Sequence, residues 1–413
     1  MLLVQKYLEN KTFGDLVRDH GVYASFSKSG HKFSLNYDQL EAKEADPLAQ
    51  ECRGLVLSAK GGVSFKPRAV EVNGKLSYDA ISPGETRVLA FPMRRFFNYG
   101  QGSAAQIDWA DPDLVILEKM DGTLCIVYHD PFTDRWCVAT RSVSEADLLM
   151  DNGIFTFRTL FEKAVQDTSR MDFDSFTKLL DPHYTYCFEL TTPYNRIVVN
   201  YPFNGITLLA VRGLMTHQEL DFTHPLIAGK LGGVVPLVQS YMYTSMDKLI
   251  EWVSSLNPME HEGVVVRLGE ARVKVKNAAY VAYNRVRETL GASERNVMEL
   301  ILSEKDDDVI PFLPEEIVKN LLKLKAGINV AIKQHDDNYQ AALAEASKTA
   351  PGDKKTFAIL VTKDKTLWSS PFFSMFDGKS ANMRDFIQKS RKEGSWANGF
   401  LDKMLEMAKH SQP

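Results

Sequence analysis

The pattern of apolar residues changes once along this chain, and that change limits its possible folds more than any other feature. Up to about Tyr283 the chain is made of short β-type runs: "ECRGLVLSAKGGVSF", "RWCVATRSV", "YTYCFELTT", "NRIVVNY", "GITLLAVRGL", "EGVVVRLG" and "ARVKVKN". Several alternate apolar and polar residues with period two, and turn residues separate them, which predicts antiparallel strands. The first run reads as a strand, a Gly-Gly turn and a second strand. Helical texture interrupts the series over 147–166 and 246–256. From Asn284 the strand signals nearly vanish. Pro314 followed by Glu315 and Glu316 marks a helix start, and apolar residues then recur at helical spacing. The expected class is α+β, with an antiparallel-sheet domain over residues 1–283 and an all-helical domain over 284–413.

A chain of 413 residues has room for two such cores. A net charge of −4 excludes a generally polybasic binder, yet a local basic groove suffices for nucleic acid. "PMRRFFN" and "RVKVKNAAYVAYNRVR" are the stretches that would supply one. No window matches the long uncharged run of a membrane span. The first twenty residues carry Glu9, Asp15 and Asp19 too early for a secretory signal and read as one short amphipathic helix. A cytoplasmic monomer, in a host cell if the source is viral, is the expectation. Cys52, Cys125, Cys137 and Cys187 lie apart without metal-ligand spacing, so neither disulfides nor structural zinc are expected.

Within the sheet-rich part, "VILEKMDGTLCIVYHD" reads as a hairpin, with Asp121-Gly122 as its turn. Lys119 just before that turn is open to two readings, an exposed lysine or a nucleophile at the mouth of a nucleotide pocket. Lys-x-Asp-Gly alone is weak, since about one chain in ten of this length would contain it by chance. Its companions raise the odds. Glu189 lies in an apolar strand, where an unpaired carboxylate is costly. Glu262-Gly263 opens another strand, Lys274 and Lys276 share one face of a third, and Arg53 stands at the entrance of a fourth. Charges at the ends and interiors of buried strands are what a pocket for polyphosphate and metal requires.

Lys119-Met120-Asp121-Gly122, Glu189, Glu262-Gly263 and Lys274-Val275-Lys276 follow the motif order of the covalent nucleotidyltransferases. With "ECRG", "PMRRFFN", "PYNRIVV" and the helical tail, the chain resembles the phage-type RNA ligase 1 family, the tRNA-repair ligases. The likeness is specific from about Cys52 to Tyr280 and weaker elsewhere. It implies an ATP-dependent RNA ligase: a lysine takes AMP from ATP, passes it to an RNA 5′-phosphate, and a 3′-hydroxyl then displaces AMP. It implies Lys119 as nucleophile and Lys274 and Lys276 as cations at the phosphates. Glu262 would act on the metal or adenylate and Glu189 on the ribose, with Asp121 and Gly122 as the rest of the nucleotide motif.

Arg53 would contact the nucleotide. Arg95 stands where the family has a lysine, Arg141 matches another family lysine loosely, and Tyr280 falls at a functional tyrosine. Phe97 is open between the site and the core. Magnesium is implied by polyphosphate chemistry, and Asp307 is the nearest match to a metal-linked aspartate, although a solvated acidic loop explains 306–308 equally well. DNA ligases and capping enzymes share the lysine motif but follow it with a β-rich barrel, where this chain has helices. A non-catalytic RNA-binding module would leave five ordered motifs to coincidence. The helical tail, with Lys319, Lys323, Lys325 and Lys333, is expected either to grip folded RNA or simply to pack.

Overall fold

The computed structural model describes residues 1–65, 70–72, 75–77, 82–147, 149–150, 153–281, 283–284, 294–303, 306, 310, 315–349, 353–363, 368–392 and 400–410. It divides into two units, Met1–Tyr280 and Val281–Pro413. In the first unit the strands are β1 (Val22–Phe26), β2 (Lys32–Tyr37), β3 (Arg53–Ala59), β4 (Val70–Val72), β5 (Lys75–Ser77), β6 (Thr86–Ala90), β7 (Phe97–Asn98) and β8 (Val115–Glu118). They continue with β9 (Thr123–Asp130), β10 (Arg135–Ala139), β11 (Tyr184–Thr191), β12 (Gly205–Gly213), β13 (Ser240–Tyr241), β14 (Gly263–Leu268) and β15 (Ala271–Lys276). They form sheets of order β1-β2-β3-β6, β10-β9-β11-β12 and β13-β8-β14-β15-β7, with β4 and β5 pairing separately. All pairs are antiparallel except β7 with β15.

Period-two alternation sorts each strand between two layers. In β3, Leu55 and Leu57 turn toward an N-terminal cluster with Val4, Leu8, Phe13 and Leu16, while Val56 packs with Ile126 and Tyr128 of β9. In β9, Cys125 and Val127 instead meet Leu160, Phe161 and Ala164 of the helix Phe157–Ser169. The third sheet is covered on one face by the helix Met246–Ser255, whose Leu249 and Val253 pack on Ile116, Val264, Val266 and Val275. Its other face carries Leu117, Val265 and Lys274, side by side in register.

Several sequence expectations are corrected. β8 and β9 are not a hairpin: β8 pairs with β13 and β14, and β9 with β10 and β11, so residues 119–122 cross from one sheet to another. "NRIVVNY" is not a strand. The N–H groups of Val198 and Val199 donate to the Asp121 carboxylate at 2.8 and 2.7 Å instead of to a ladder. The second strand expected after Gly61-Gly62 is absent from residues 63–65, because both edges of β3 are taken by β2 and β6. The helix expected over 147–166 begins only at Phe157, where Thr156 and Thr159 exchange side-chain-to-backbone hydrogen bonds of 2.9 and 3.1 Å. The single N-terminal helix is two, Leu3–Leu8 and Phe13–His20, because Thr12 caps a fresh start with Asp15. All four cysteines are buried free thiols.

The described residues of the second unit contain helices and no strand. A long helix, Glu315–Thr349, packs with Glu294–Leu302, Met383–Lys392 and Phe400–His410 around Met298, Leu321, Ile328, Ile387 and Met404. Lys319, Lys323 and Lys333 are exposed along it. Lys325 is ion-paired at 2.6 Å with the buried Asp306. Asp307 lies outside the described residues. No helix of the described residues is long and apolar enough to cross a membrane.

Candidate active site

The crossing segment between β8 and β9 is the wall of a cavity of about 490 Å³ in the first unit. Leu117, Glu118 and Val265 bound it from the third sheet, and Leu124, Glu189 and Leu209 from the second. Arg53, Phe96, Lys119, Gly122 and Arg141 also line it. Its size lies within the range of small-molecule sites.

Lys119 is held at both ends. Its backbone N–H donates to the Gly263 carbonyl at 2.9 Å, and its Nζ lies 2.5 Å from Oε2 of Glu262. The other oxygen of Glu262 lies 2.8 Å from Nζ of Lys276, so one buried carboxylate bridges two ammonium groups. Gly263 follows with φ of +141°, and a Cβ there would lie 2.2 Å from the Val275 carbonyl oxygen. Only glycine permits this meeting of β14 with β15 beside the lysine.

Asp121 and Gly122 turn out to be framework of the crossing. The Asp121 carboxylate accepts from Val198, Val199 and the Tyr280 hydroxyl, the last at 2.6 Å, while its N–H donates to the Tyr201 hydroxyl at 3.2 Å. Gly122 donates at 3.0 Å to Oε1 of Glu189. A Cβ on Gly122 would meet the Leu190 carbonyl oxygen at 2.4 Å. The Lys-x-Asp-Gly spacing is thus the local requirement for passing between two sheets with the lysine exposed to the cavity.

The electrostatics are strongly biased. Burial, reinforced by Arg53, Lys119 and Lys276, pulls Lys274 down to about 7. Burial pushes Glu189 up to about 7; Lys119 opposes the rise and Glu262 adds to it. Burial also lowers Arg53 from the usual arginine range. The Arg53 Nη1 is buried with no hydrogen-bond partner among the described residues. An orphaned buried guanidinium donor on a cavity wall suits an anionic or polar ligand.

Arg95 does not line the cavity. Its guanidinium lies over the rings of Tyr37 and Phe97, at 4.2 and 5.1 Å, and donates to the Ala42 carbonyl. Phe97 is buried in β7. The neighbouring Phe96 lines the cavity instead, with Lys274 and Arg53 over its ring at 4.6 and 5.4 Å. Tyr280 stands behind Asp121, away from the cavity lining. Sequence reasoning missed Phe96, Glu118, Tyr201 and Arg272. Phe96 stood in a stretch already singled out, and Arg272 alternates with Lys274 and Lys276 on β15. Tyr201 gave no signal, because its partner is a backbone amide.

Among the described residues no group of three or more His, Cys, Asp and Glu is placed to hold a metal ion. Magnesium that keeps its waters and arrives with a polyphosphate needs only one or two carboxylates. Glu118, on the cavity wall, and Glu262, on the Lys119 ammonium, fit that requirement.

The sequence profile of the RNA ligase family matches residues 51–280, the span that holds every side chain of this site. An RNA ligase of Rhodothermus phage RM378 is 24% identical over 371 residues, covering 74% of this chain and 80% of that protein. A "Putative bifunctional polynucleotide kinase/RNA ligase" of Autographa californica nuclear polyhedrosis virus is 23% identical over 304 residues, or 70% of this chain. That match spans 38% of the viral protein's length. Among solved structures, form 2 of an archaeal ATP-dependent RNA ligase is similar at 15% identity and a TM-score of 0.44, over 79% of this chain and 82% of that one. The profile covers more than half of the chain, and the protein therefore belongs to the RNA ligase family and is a ligase.

Proposed function

We propose that the protein joins RNA 5′-phosphate and 3′-hydroxyl ends at the expense of ATP, through an AMP carried on Lys119, in the repair of broken RNA such as cleaved tRNA loops. The observation that carries this reading is the Lys119 ammonium on Glu262 in the wall of a cavity that Arg53, Arg141 and Arg272 also line, Arg53 with a buried donor that has no partner among the described residues.

Lys119 Nζ must lose a proton before it attacks, and Glu262 Oε2 is the acceptor in contact with it. The nitrogen then forms a bond to the α-phosphorus as the bond to pyrophosphate breaks. Arg53 on the cavity wall, Lys274 over the ring of the wall residue Phe96, and Lys276 on Glu262 would stabilise the charge that develops there, which is where phosphoryl transfer gains most from an enzyme. Glu189 suits the ribose, since a carboxylate accepts two hydroxyl hydrogen bonds. Magnesium, held through Glu118, would neutralise phosphate charge and orient the leaving pyrophosphate. An RNA 5′-phosphate next attacks the lysyl-AMP phosphorus and frees Lys119, and a 3′-hydroxyl finally attacks the activated 5′-phosphate and releases AMP. The residues between 1 and 280 carry the adenylyl chemistry, and the helical unit contributes to the choice of RNA.

Labelled ATP incubated with the pure protein should leave label on the denatured chain, and matched RNA and DNA ends should be joined with RNA preferred. An unlabelled chain overturns the reading.

A further inference from the structure

Residues 193–203 form a loop closed at its base by the Thr192 hydroxyl, 2.7 Å from Oδ1 of Asn204. Its inner side is pinned at four points to the crossing segment and the first residue of β9. Asn195 Nδ2 donates to the Thr123 hydroxyl at 2.6 Å, Val198 and Val199 donate to the Asp121 carboxylate, and Tyr201 accepts from the Asp121 amide. Ile197 of the same loop is part of the cavity wall. A segment held this closely has little freedom to fold its apolar side chains inward. Yet it presents two aromatic rings to solvent, Tyr194 at 47% exposure and Phe203 at 79%. Tyr194 is braced by the edge of Phe155, with ring centroids 5.1 Å apart.

We propose that Tyr194 and Phe203 are a stacking platform for the unpaired terminal base of the RNA whose 5′-phosphate receives AMP. This rests on the ligase reading above. The occupant follows from connectivity: the 5′-phosphate must reach the AMP on Lys119, and the loop is bonded to Asp121 and Thr123, two and four positions further along the chain. The nucleotide attached to that phosphate therefore lies beside the loop, while the cavity's cations hold phosphates. Exposed aromatic rings bind unpaired bases through their faces without regard to sequence.

The test uses the full-length protein with Tyr194→Ala, Phe203→Ala and Tyr194→Trp. Two quantities are measured: lysyl-AMP formation without RNA, and the KM for joining a 5′-phosphorylated single-stranded oligoribonucleotide carrying either a base or an abasic residue at its 5′ end. Both alanine variants should form lysyl-AMP at the wild-type rate and raise the KM by about five- to a hundredfold, the loss expected for one stacked base. Tyr194→Trp should restore it. The abasic end should raise the wild-type KM while leaving the alanine variants little changed. An unchanged KM, an equal loss on both ends, slowed lysyl-AMP formation, or a defect in self-association in place of one in RNA joining would each overturn the platform. Failure of the wild type to form lysyl-AMP would overturn the ligase reading instead.

Discussion

The Nζ of Lys119 lies 2.5 Å from Oε2 of Glu262, in the wall of the cavity. Because the other Glu262 oxygen holds Lys276, this carboxylate sets the positions of two cations at once. Glu262→Gln keeps the shape but leaves two ammonium groups without their shared counter-charge. It should slow lysyl-AMP formation by about a hundredfold or more, the scale of removing a preorganised charged partner. Rapid-quench measurement of the labelled adduct checks this, with circular dichroism confirming that the variant remains folded.

Lys119→Ala should abolish the adduct, and Lys119→Arg should do the same, because a guanidinium does not give up its proton in the working range. Proteolysis and mass spectrometry of the wild-type adduct should place AMP on Lys119. An adduct on Lys274 or Lys276 would reassign the nucleophile.

Much of the candidate site was legible, because chemistry and local structure both leave marks. Lys274 and Lys276 sit at alternate positions of a strand, and Glu189 interrupts an apolar run. Such placements are costly without a purpose. The role of Asp121 was not legible. Asp-Gly is ordinary hairpin chemistry, and only the tertiary pairing of β8 with β14 and β9 with β11 turns it into a crossover whose carboxylate gathers two amides and a tyrosine. "NRIVVNY" misled for the same reason. Its valines are buried as strand valines would be, but their N–H groups serve Asp121. Arg95 misled by composition, since a basic residue between aromatics serves packing as well as phosphate.

Lys274 and Glu189 should destabilise the folded enzyme in opposite pH windows. Lys274 titrates near 7 when folded, against 10.5 for an ordinary lysine, so its folded charge is costly below pH 7. The cost fades as the pH rises from 7 to 10.5, because the unfolded chain binds the extra proton there. Lys274→Met should therefore melt above the wild type at pH 6, by at least about 2 °C, and lose that advantage toward pH 10. Glu189 titrates near 7 against 4.5. Its cost grows from pH 4.5 to 7 and is complete above, so Glu189→Gln should gain stability across that window and hold it. Calorimetric scans across the pH range check both trends, and both variants should be poor ligases.

Among the described residues of the helical unit, Lys325 is tied to a buried carboxylate, whereas Lys319, Lys323 and Lys333 are exposed on the long helix. Lys325 neutralises Asp306, whose carboxyl is buried. Lys325→Met would strand that carboxylate and should cost about 1–3 kcal/mol, visible as earlier melting of the helices. Lys319, Lys323 and Lys333 stand exposed on the long helix, so reversing all three to Glu should leave melting nearly unchanged. If the helical unit grips folded RNA, the same triple variant should join a broken stem-loop far less well than an unstructured oligomer. Its binding should also respond less to salt, with the slope of log affinity against log salt shallower by roughly one for each phosphate that is no longer neutralised. Lysyl-AMP formation should stay at the wild-type rate, since the cavity and its lining residues all lie before Val281. Equal decline on both RNAs, or an unchanged salt slope, would make the helical unit a packing domain with no part in choosing the substrate.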